Sequence, residues 1–208
     1  VTYVNRDQAG AVLAANLAAY RYRKDVIVLG LVRGGVPVAA RVATALRAPM
    51  DVLVVRKLGV PWAPEVAFGA LGPGGVAVHN RDVEARLSRA DVDAVAASEG
   101  IELRRRESLY RRDRPPLSLR GRIAIIVDDG LATGATARVA VAVARKLGAA
   151  RVVVAVPVGA AEAVEVLRRE ADEVICPIVP DQFGAVSRFY GSFPQTTDEE
   201  VVRLVGPG

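Results

Sequence analysis

Short uninterrupted apolar runs alternate along the chain with segments whose apolar residues recur every three or four positions. The runs at Val26 to Val32, Asp51 to Arg56, Ile123 to Val127, Val152 to Val156 and Glu173 to Cys176 are rich in Val and Ile, as strands buried on both faces are. Helical spacing follows several of them: from Pro37 to about Arg47, along Val139, Val143 and Leu147, and from Ala160 to Glu170. An Ala-rich stretch at 7–20 predicts a helix capped at Asp7. Val66 to Leu71 and Val76 to Val78 predict a hairpin around Gly72-Pro73-Gly74-Gly75. Residues 81–113 are polar and helical, and Pro115-Pro116 stops them. Thr197 with Glu200 reads as a capping box that opens a last short helix. Strands alternating with helices predict an α/β fold, an open and mostly parallel sheet flanked by helices.

Composition narrows the class. Hydrophobic residues make up 51% of 208, enough for a large core and too many for global disorder. No apolar stretch is long enough to span a bilayer, which argues against a membrane partner. The first residues show no basic stretch, apolar run and cleavage site in series, so no signal peptide is expected. Cys176 is the only cysteine; no intrachain disulfide can form, which suits the cytoplasm. Of 28 basic residues only Lys24, Lys57 and Lys146 are lysines, and the net charge is +5. A basic balance suits polyphosphate substrates and nucleic acid alike. His79 is the sole histidine, so a histidine metal cluster is excluded and no protein-built metal site is expected.

The most informative stretch runs from Ala124 to Thr136: an apolar strand, the adjacent carboxylates Asp128 and Asp129, then Gly130-Leu131-Ala132-Thr133-Gly134-Ala135-Thr136 leading into a helix. A strand feeding a helix through such a loop aims backbone N–H groups, Thr hydroxyls and the positive end of the helix dipole at one spot, where a phosphate fits. Gly130 and Gly134 allow close approach or a positive φ. Carboxylates beside that spot repel phosphate but accept hydrogen bonds from hydroxyls. A phosphate joined to a diol is a ribose 5-phosphate. No Lys-Ser or Lys-Thr pair follows the glycines, so this is not a Walker loop. Arg33-Gly34-Gly35 ends another strand in the same way, and both loops should open on the same edge of a parallel sheet.

The stretch at 124–136 resembles the phosphoribosyl-diphosphate (PRPP) motif of type I phosphoribosyltransferases, with Gly130 standing where that family usually has an aliphatic residue. The whole chain is similar to a group of bacterial phosphoribosyltransferases with no settled acceptor, from Arg33-Gly34-Gly35 to the tail at 195–200. The resemblance implies a single phosphoribosyltransferase-like domain over 1–208, with a helical insertion at 81–116 and a hood at 177–208. It implies transfer of the phosphoribosyl group from PRPP to a nitrogen acceptor, a purine or pyrimidine base as in nucleotide salvage. Asp128 to Thr136 would hold the ribose 5-phosphate. Arg33, Gly34 and Gly35 would hold the pyrophosphate, with a cis peptide at Arg33–Gly34. Arg56 and Lys57 would open a mobile catalytic loop and neutralise the departing pyrophosphate, making Arg56, Lys57, Asp128 and Asp129 the catalytic set. Mg²⁺ would be carried mainly by PRPP and pyrophosphate.

Phe183, Tyr190 and Trp62 are the aromatic candidates for the acceptor hood. Oxopurine enzymes of the family usually carry an acid at the position of Ala132, so its absence argues against that route. Adenine and uracil enzymes share Leu131-Ala132-Thr133-Gly134, and a homo-oligomer stays open. The alternative is a PRPP-sensing regulator that binds nucleic acid through the arginines of 104–114. Glu102 with Arg106 and Glu107 with Arg111 instead suit i,i+4 pairs on a solvated helix, which disfavours nucleic acid as a partner.

Overall fold

The computed structural model describes residues 2–207; Val1 and Gly208, the ends of the expected unit, lie outside the described residues. In chain order the elements are α1 (Arg6–Ala15), β1 (Val26–Leu31), α2 (Gly35–Leu46), β2 (Met50–Leu53), β3 (Arg56–Val60), β4 (Ala63–Leu71), β5 (Ala77–His79), α3 (Arg81–Glu84), α4 (Arg89–Arg111), β6 (Ile123–Val127), α5 (Ala135–Lys146), β7 (Arg151–Ala155), α6 (Ala161–Glu170), β8 (Glu173–Ile175) and α7 (Asp198–Val205). Among the described residues no helix is long and apolar enough to cross a membrane.

The central sheet has the order β2-β1-β6-β7-β8, and every pairing in it is parallel. The three inner strands, β1, β6 and β7, are buried on both faces, which is why they read as continuous apolar runs. Ile27, Leu29, Ala124 and Ile126 pack on one face with α5 and α6, while Val26, Val28, Ile123 and Ile125 pack on the other with α1 and α2. From β1 the chain steps outward to β2; from β6 it steps the other way to β7. The strand order therefore reverses between β1 and β6, where open α/β sheets leave a crevice for ligands.

Several expectations shift. The first helix is capped by Asn5, whose side chain accepts from the Gln8 N–H, and not by Asp7; it ends at Ala15 and is followed by a 3₁₀ turn at Ala18–Tyr20. Arg56 does not end the second strand. That strand stops at Leu53, and Arg56 begins β3, which joins β4 and β5 in a separate antiparallel sheet. Alternation explains it: Leu58 and Val60 turn inward to Phe68 while Arg56 and Lys57 stay half-buried. The hairpin at 72–75 forms, with Gly74 and Gly75 at φ 70 and 76. Residues 81–113 split into α3 and α4, because Ser88 accepts from the Asp91 N–H and starts a new helix. Thr197 does cap α7, accepting from the Glu200 N–H at 3.1 Å.

Candidate functional site

The two loops expected to bind anions meet at the strand reversal. β1 and β6 are in register, Gly30 beside Val127, so the turns that follow them are neighbours. A Cβ on Gly34 would collide with Asp129 Oδ2, and one on Gly35 would lie 2.6 Å from the Val127 carbonyl oxygen and 2.9 Å from Asp128 Cα. Only glycine lets the loops come this close. The cis peptide bond lies between Val32 and Arg33, one bond before the position the resemblance implies.

Gly130 and Gly134 serve different needs. Gly134 caps α5 with φ 76, which side-chain-bearing residues seldom adopt. Gly130 has no such φ; a Cβ there would meet Val186 Cγ1 at 2.7 Å. Val186 of the C-terminal segment thus occupies the volume that an aliphatic residue at 130 would need. Leu131 is buried and its backbone is committed to the scaffold, donating to the Val158 carbonyl at 3.0 Å and accepting from the Ala160 N–H at 2.9 Å. Ala132, Thr133, Ala135 and Thr136 are exposed around the start of α5. The Thr133 hydroxyl oxygen accepts from the Ala135 N–H at 3.3 Å.

The carboxylates are not ordinary. Burial, then the negative charge of Asp129, pushes the Asp128 carboxyl well above the usual range; its Oδ1 accepts from the Asp129 N–H at 2.9 Å. Burial also raises Asp129, opposed by the guanidinium of Arg6. Arg6 Nε and Nη2 donate to Asp129 Oδ2 at 3.2 and 3.1 Å. Tyr190 donates its hydroxyl to the Asp129 carbonyl at 2.7 Å, and burial holds that hydroxyl far above the phenol range, so it stays a donor.

Arg33 Nη1 stands 3.6 Å from Asp198 Oδ1, which also accepts from the Tyr110 hydroxyl at 2.6 Å. Arg56 Nε donates to Glu99 Oε2 of α4 at 2.6 Å. A cleft of about 870 Å³ lies beneath the β3–β4 hairpin. It brings Arg56 and Lys57 together with Val32, Thr136 and Arg106. Of the expected hood residues, Phe183 and Tyr190 share one apolar cluster with Tyr3, Phe189 and Phe193, and Trp62 is not part of it. Trp62 is 66% exposed at the turn between β3 and β4. Phe183 stacks on Phe189 at 5.4 Å. Tyr190 is buried against Tyr3 and Phe193, so it offers no free face and instead supports the strand end.

The arginines of 104–114 largely turn inward or pair. Arg111 is buried and donates through Nε and Nη2 to both oxygens of Asp51, at 3.0 and 2.8 Å, rather than pairing with Glu107. Arg114 donates to the carbonyls of Met50 and Val205, and Arg105 and Arg106 both hold Glu102. Sequence reasoning missed Arg6, Asp198, Tyr110 and Glu99. Arg6 carries no local signal, since its partner is 123 residues away. Asp198 sits in the helix start that Thr197 and Glu200 mark in the sequence, but that mark says nothing of a partner 165 residues earlier.

A family model described as "Phosphoribosyl transferase domain" matches residues 4–190, and the chain belongs to that family. The protein named "Putative phosphoribosyl transferase" in Mycobacterium tuberculosis is 54% identical over 203 residues, 97% of this chain and 46% of that protein. The chain thus spans about half the length of the curated relatives it matches. The crystal structure of TT1426 from Thermus thermophilus superposes with a TM-score of 0.91 at 42% identity, covering 99% of this chain and 98% of that one. A protein of Aquifex aeolicus, AQ2163, shares the fold at a TM-score of 0.50 and 14% identity, over 84% of this chain and 74% of that one.

Proposed function

We propose that the site binds PRPP across the two loops and transfers its phosphoribosyl group to a nitrogen acceptor, releasing pyrophosphate. The observation that supports the reading is the close approach of Gly34 and Gly35 to Asp128 and Asp129, which sets side by side two loops that each lead into a helix N-terminus. In this reading the exposed loop from Ala132 to Thr136 cradles the 5-phosphate, and Gly134 gives it the turn. Gly130 and Leu131 shape the cradle's floor. Asp128 and Asp129 accept hydrogen bonds from the ribose hydroxyls. Arg33, with the backbone of Gly34 and Gly35, holds the pyrophosphate.

The C1–O1 bond breaks with its electron pair leaving on pyrophosphate, and the acceptor nitrogen supplies the pair for the new C1–N bond. A nitrogen that carried a proton releases it to solvent. Charge builds on the sugar ring and on the leaving group, so Arg56 and Lys57, facing the cleft, stabilise the transition state more than the bound substrate. Among the described residues no cluster of three or more His, Cys, Asp or Glu side chains is placed to hold a metal. The donor chemistry fits Mg²⁺ carried by the substrate, since that ion keeps its waters and takes phosphate oxygens readily. When bound it would add positive charge at the pyrophosphate, beside Arg33 and Lys57.

Phe183 and Trp62 remain the aromatic faces assigned to a flat acceptor. Binding to nucleic acid gains no support, because Arg111 and Arg114 are engaged inside the molecule. The test is pyrophosphate release from PRPP over a panel of purines, pyrimidines and other nitrogen acceptors. Release that depends on one acceptor supports the reading; PRPP binding without release under any acceptor would favour a sensor.

A further inference from the structure

The close approach of the two loops does not explain why the C-terminal tail lies where it does. Residues 189–192 are stitched to the first residues of the chain: Tyr3 N–H donates to the Phe189 carbonyl at 2.8 Å, Gly191 N–H to the Tyr3 carbonyl at 2.8 Å, and Ser192 N–H to the Val4 carbonyl at 2.8 Å. The tail then meets two arginines in quick succession. The Phe193 ring lies 3.9 Å from the Arg6 guanidinium carbon, and the Pro194 carbonyl accepts from Arg6 Nη1 at 2.5 Å. Four residues later Asp198 meets Arg33, with Tyr110 donating to the same carboxylate oxygen.

Each of these arginines belongs to a different half of the site. Arg6 holds Asp129 of the ribose half; Arg33 leads the pyrophosphate loop. Arg6 is clamped on three sides, by Asp129, Pro194 and Phe193, and a guanidinium fixed in this way has little freedom left to lose on binding. Thr196 between the two contacts is buried, and α7 beyond them is anchored by Val201 and Val205 against Val36 and Val52. The connecting segment is therefore held at both ends.

We infer that tail residues 193–198 form a single brace that sets both halves of the site, with Arg6 and Asp198 as positioning residues for Asp129 and Arg33. The inference rests on the PRPP reading above. The brace touches neither sugar nor phosphate in that reading; it acts through the two arginines.

The half-site ligands ribose 5-phosphate and inorganic pyrophosphate separate its effects. Calorimetric titration of the full chain with each, and with PRPP, is compared for wild type, Phe193→Leu, Asp198→Asn and the double variant, with thermal melting as the folding control. Phe193→Leu is expected to weaken ribose 5-phosphate about fivefold and Asp198→Asn to weaken pyrophosphate about fivefold, each the size of one lost contact to a guanidinium. For PRPP the double variant is expected to lose less than the product of the single losses, because the first substitution already loosens the segment through which the second acts. Arg6→Lys, which keeps the charge and loses the two-nitrogen grip, reports on the same link if Phe193→Leu melts early. Unchanged affinities in folded variants would make the tail passive packing, and fully multiplicative losses would make it two independent supports; either overturns the brace. A wild-type protein that binds none of the three ligands would instead overturn the PRPP reading, and the brace with it.

Discussion

Asp128, given a ligand-binding role in the proposed reading, weighs on the free protein. Its carboxyl is buried next to a second carboxylate, and both effects raise its proton affinity. A carboxyl whose folded-state pKa lies above its unfolded value costs stability progressively as pH rises past the unfolded value, and the cost is complete above the folded one. It is relieved only as pH falls back to the unfolded carboxylate range. At neutral pH Asp128 is therefore a burden on the ligand-free protein, one that ribose hydroxyls would offset in the proposed reading. Asp128→Asn keeps the acceptor for the Asp129 N–H and removes the charge. We expect this variant to raise the melting temperature of the ligand-free protein at pH 7 by a few degrees, with the gain vanishing towards acid pH, while PRPP affinity falls at least tenfold, the scale of a lost charged acceptor. Melting curves across pH together with calorimetry check both halves. Gly130 offers a second test of the same size. Its Cα is covered by Val186, so Gly130→Val forces overpacking of roughly 1–3 kcal/mol, read by denaturant unfolding. Val186→Ala in the same chain is expected to recover much of that loss. Equal stability of Gly130→Val and wild type would mean that Val186 yields freely, and the volume exchange would be wrong.

Among the elements, the central strands and their helices were legible because burial on both faces writes a contiguous Val/Ile run, and loops between them carry Gly and Thr for a local reason. Asp128 to Thr136 could be found since all its parts are adjacent in sequence. The second sheet was only half legible. Val66 to Leu71 leads into a turn with two glycines at positive φ, but Arg56-Lys57-Leu58-Gly59-Val60 has too few apolar residues to register as a strand. Gly59 is there because a Cβ would meet the Pro64 carbonyl oxygen at 2.6 Å across the hairpin. What no sequence pattern carried were contacts closed by tertiary structure: Arg6 on Asp129, Asp198 on Arg33, and Arg111 turning to Asp51 rather than Glu107. Arg56 and Lys57 begin the β3–β4 hairpin. Arg56 is engaged by Glu99, whereas Lys57 faces the cleft. Lys57→Ala is expected to lower turnover by about one to two orders of magnitude and to change PRPP affinity by less than about threefold, since in the proposed reading its charge counts most as pyrophosphate departs. Steady-state rates set beside equilibrium titration resolve the two; equal losses in both would make Lys57 a ground-state contact.

Across the protein, some basic residues hold the fold, Arg56 and Lys57 line the cleft, and others such as Arg104 and Arg112 are exposed. The Arg111–Asp51 pair joins α4 to the edge strand β2 with both side chains 7% exposed. Arg114 Nη1, 3.2 Å from Asp51 Oδ2, still faces the buried carboxylate when Arg111 is removed, so Arg111→Ala is expected to cost the charged hydrogen bonds it makes, about 1.5–3 kcal/mol, measurable by urea unfolding. A loss under about 1 kcal/mol, the range of an exposed pair, would return Arg111 to the pool of surface charges and reopen a nucleic-acid reading of the arginine-rich stretch. In the proposed reading a sugar lies between a monophosphate cradle at 132–136 and a pyrophosphate clamp at 33–35, the two loops that the close approach of Gly34 and Gly35 to Asp128 and Asp129 sets side by side. Competition calorimetry decides the matter: PRPP titrated into the protein alone, then in the presence of saturating ribose 5-phosphate or saturating pyrophosphate. We expect one PRPP per chain, displaced by either half-ligand. Binding that only one of them displaces, or no binding of PRPP at all, would rule out a single crevice of that kind.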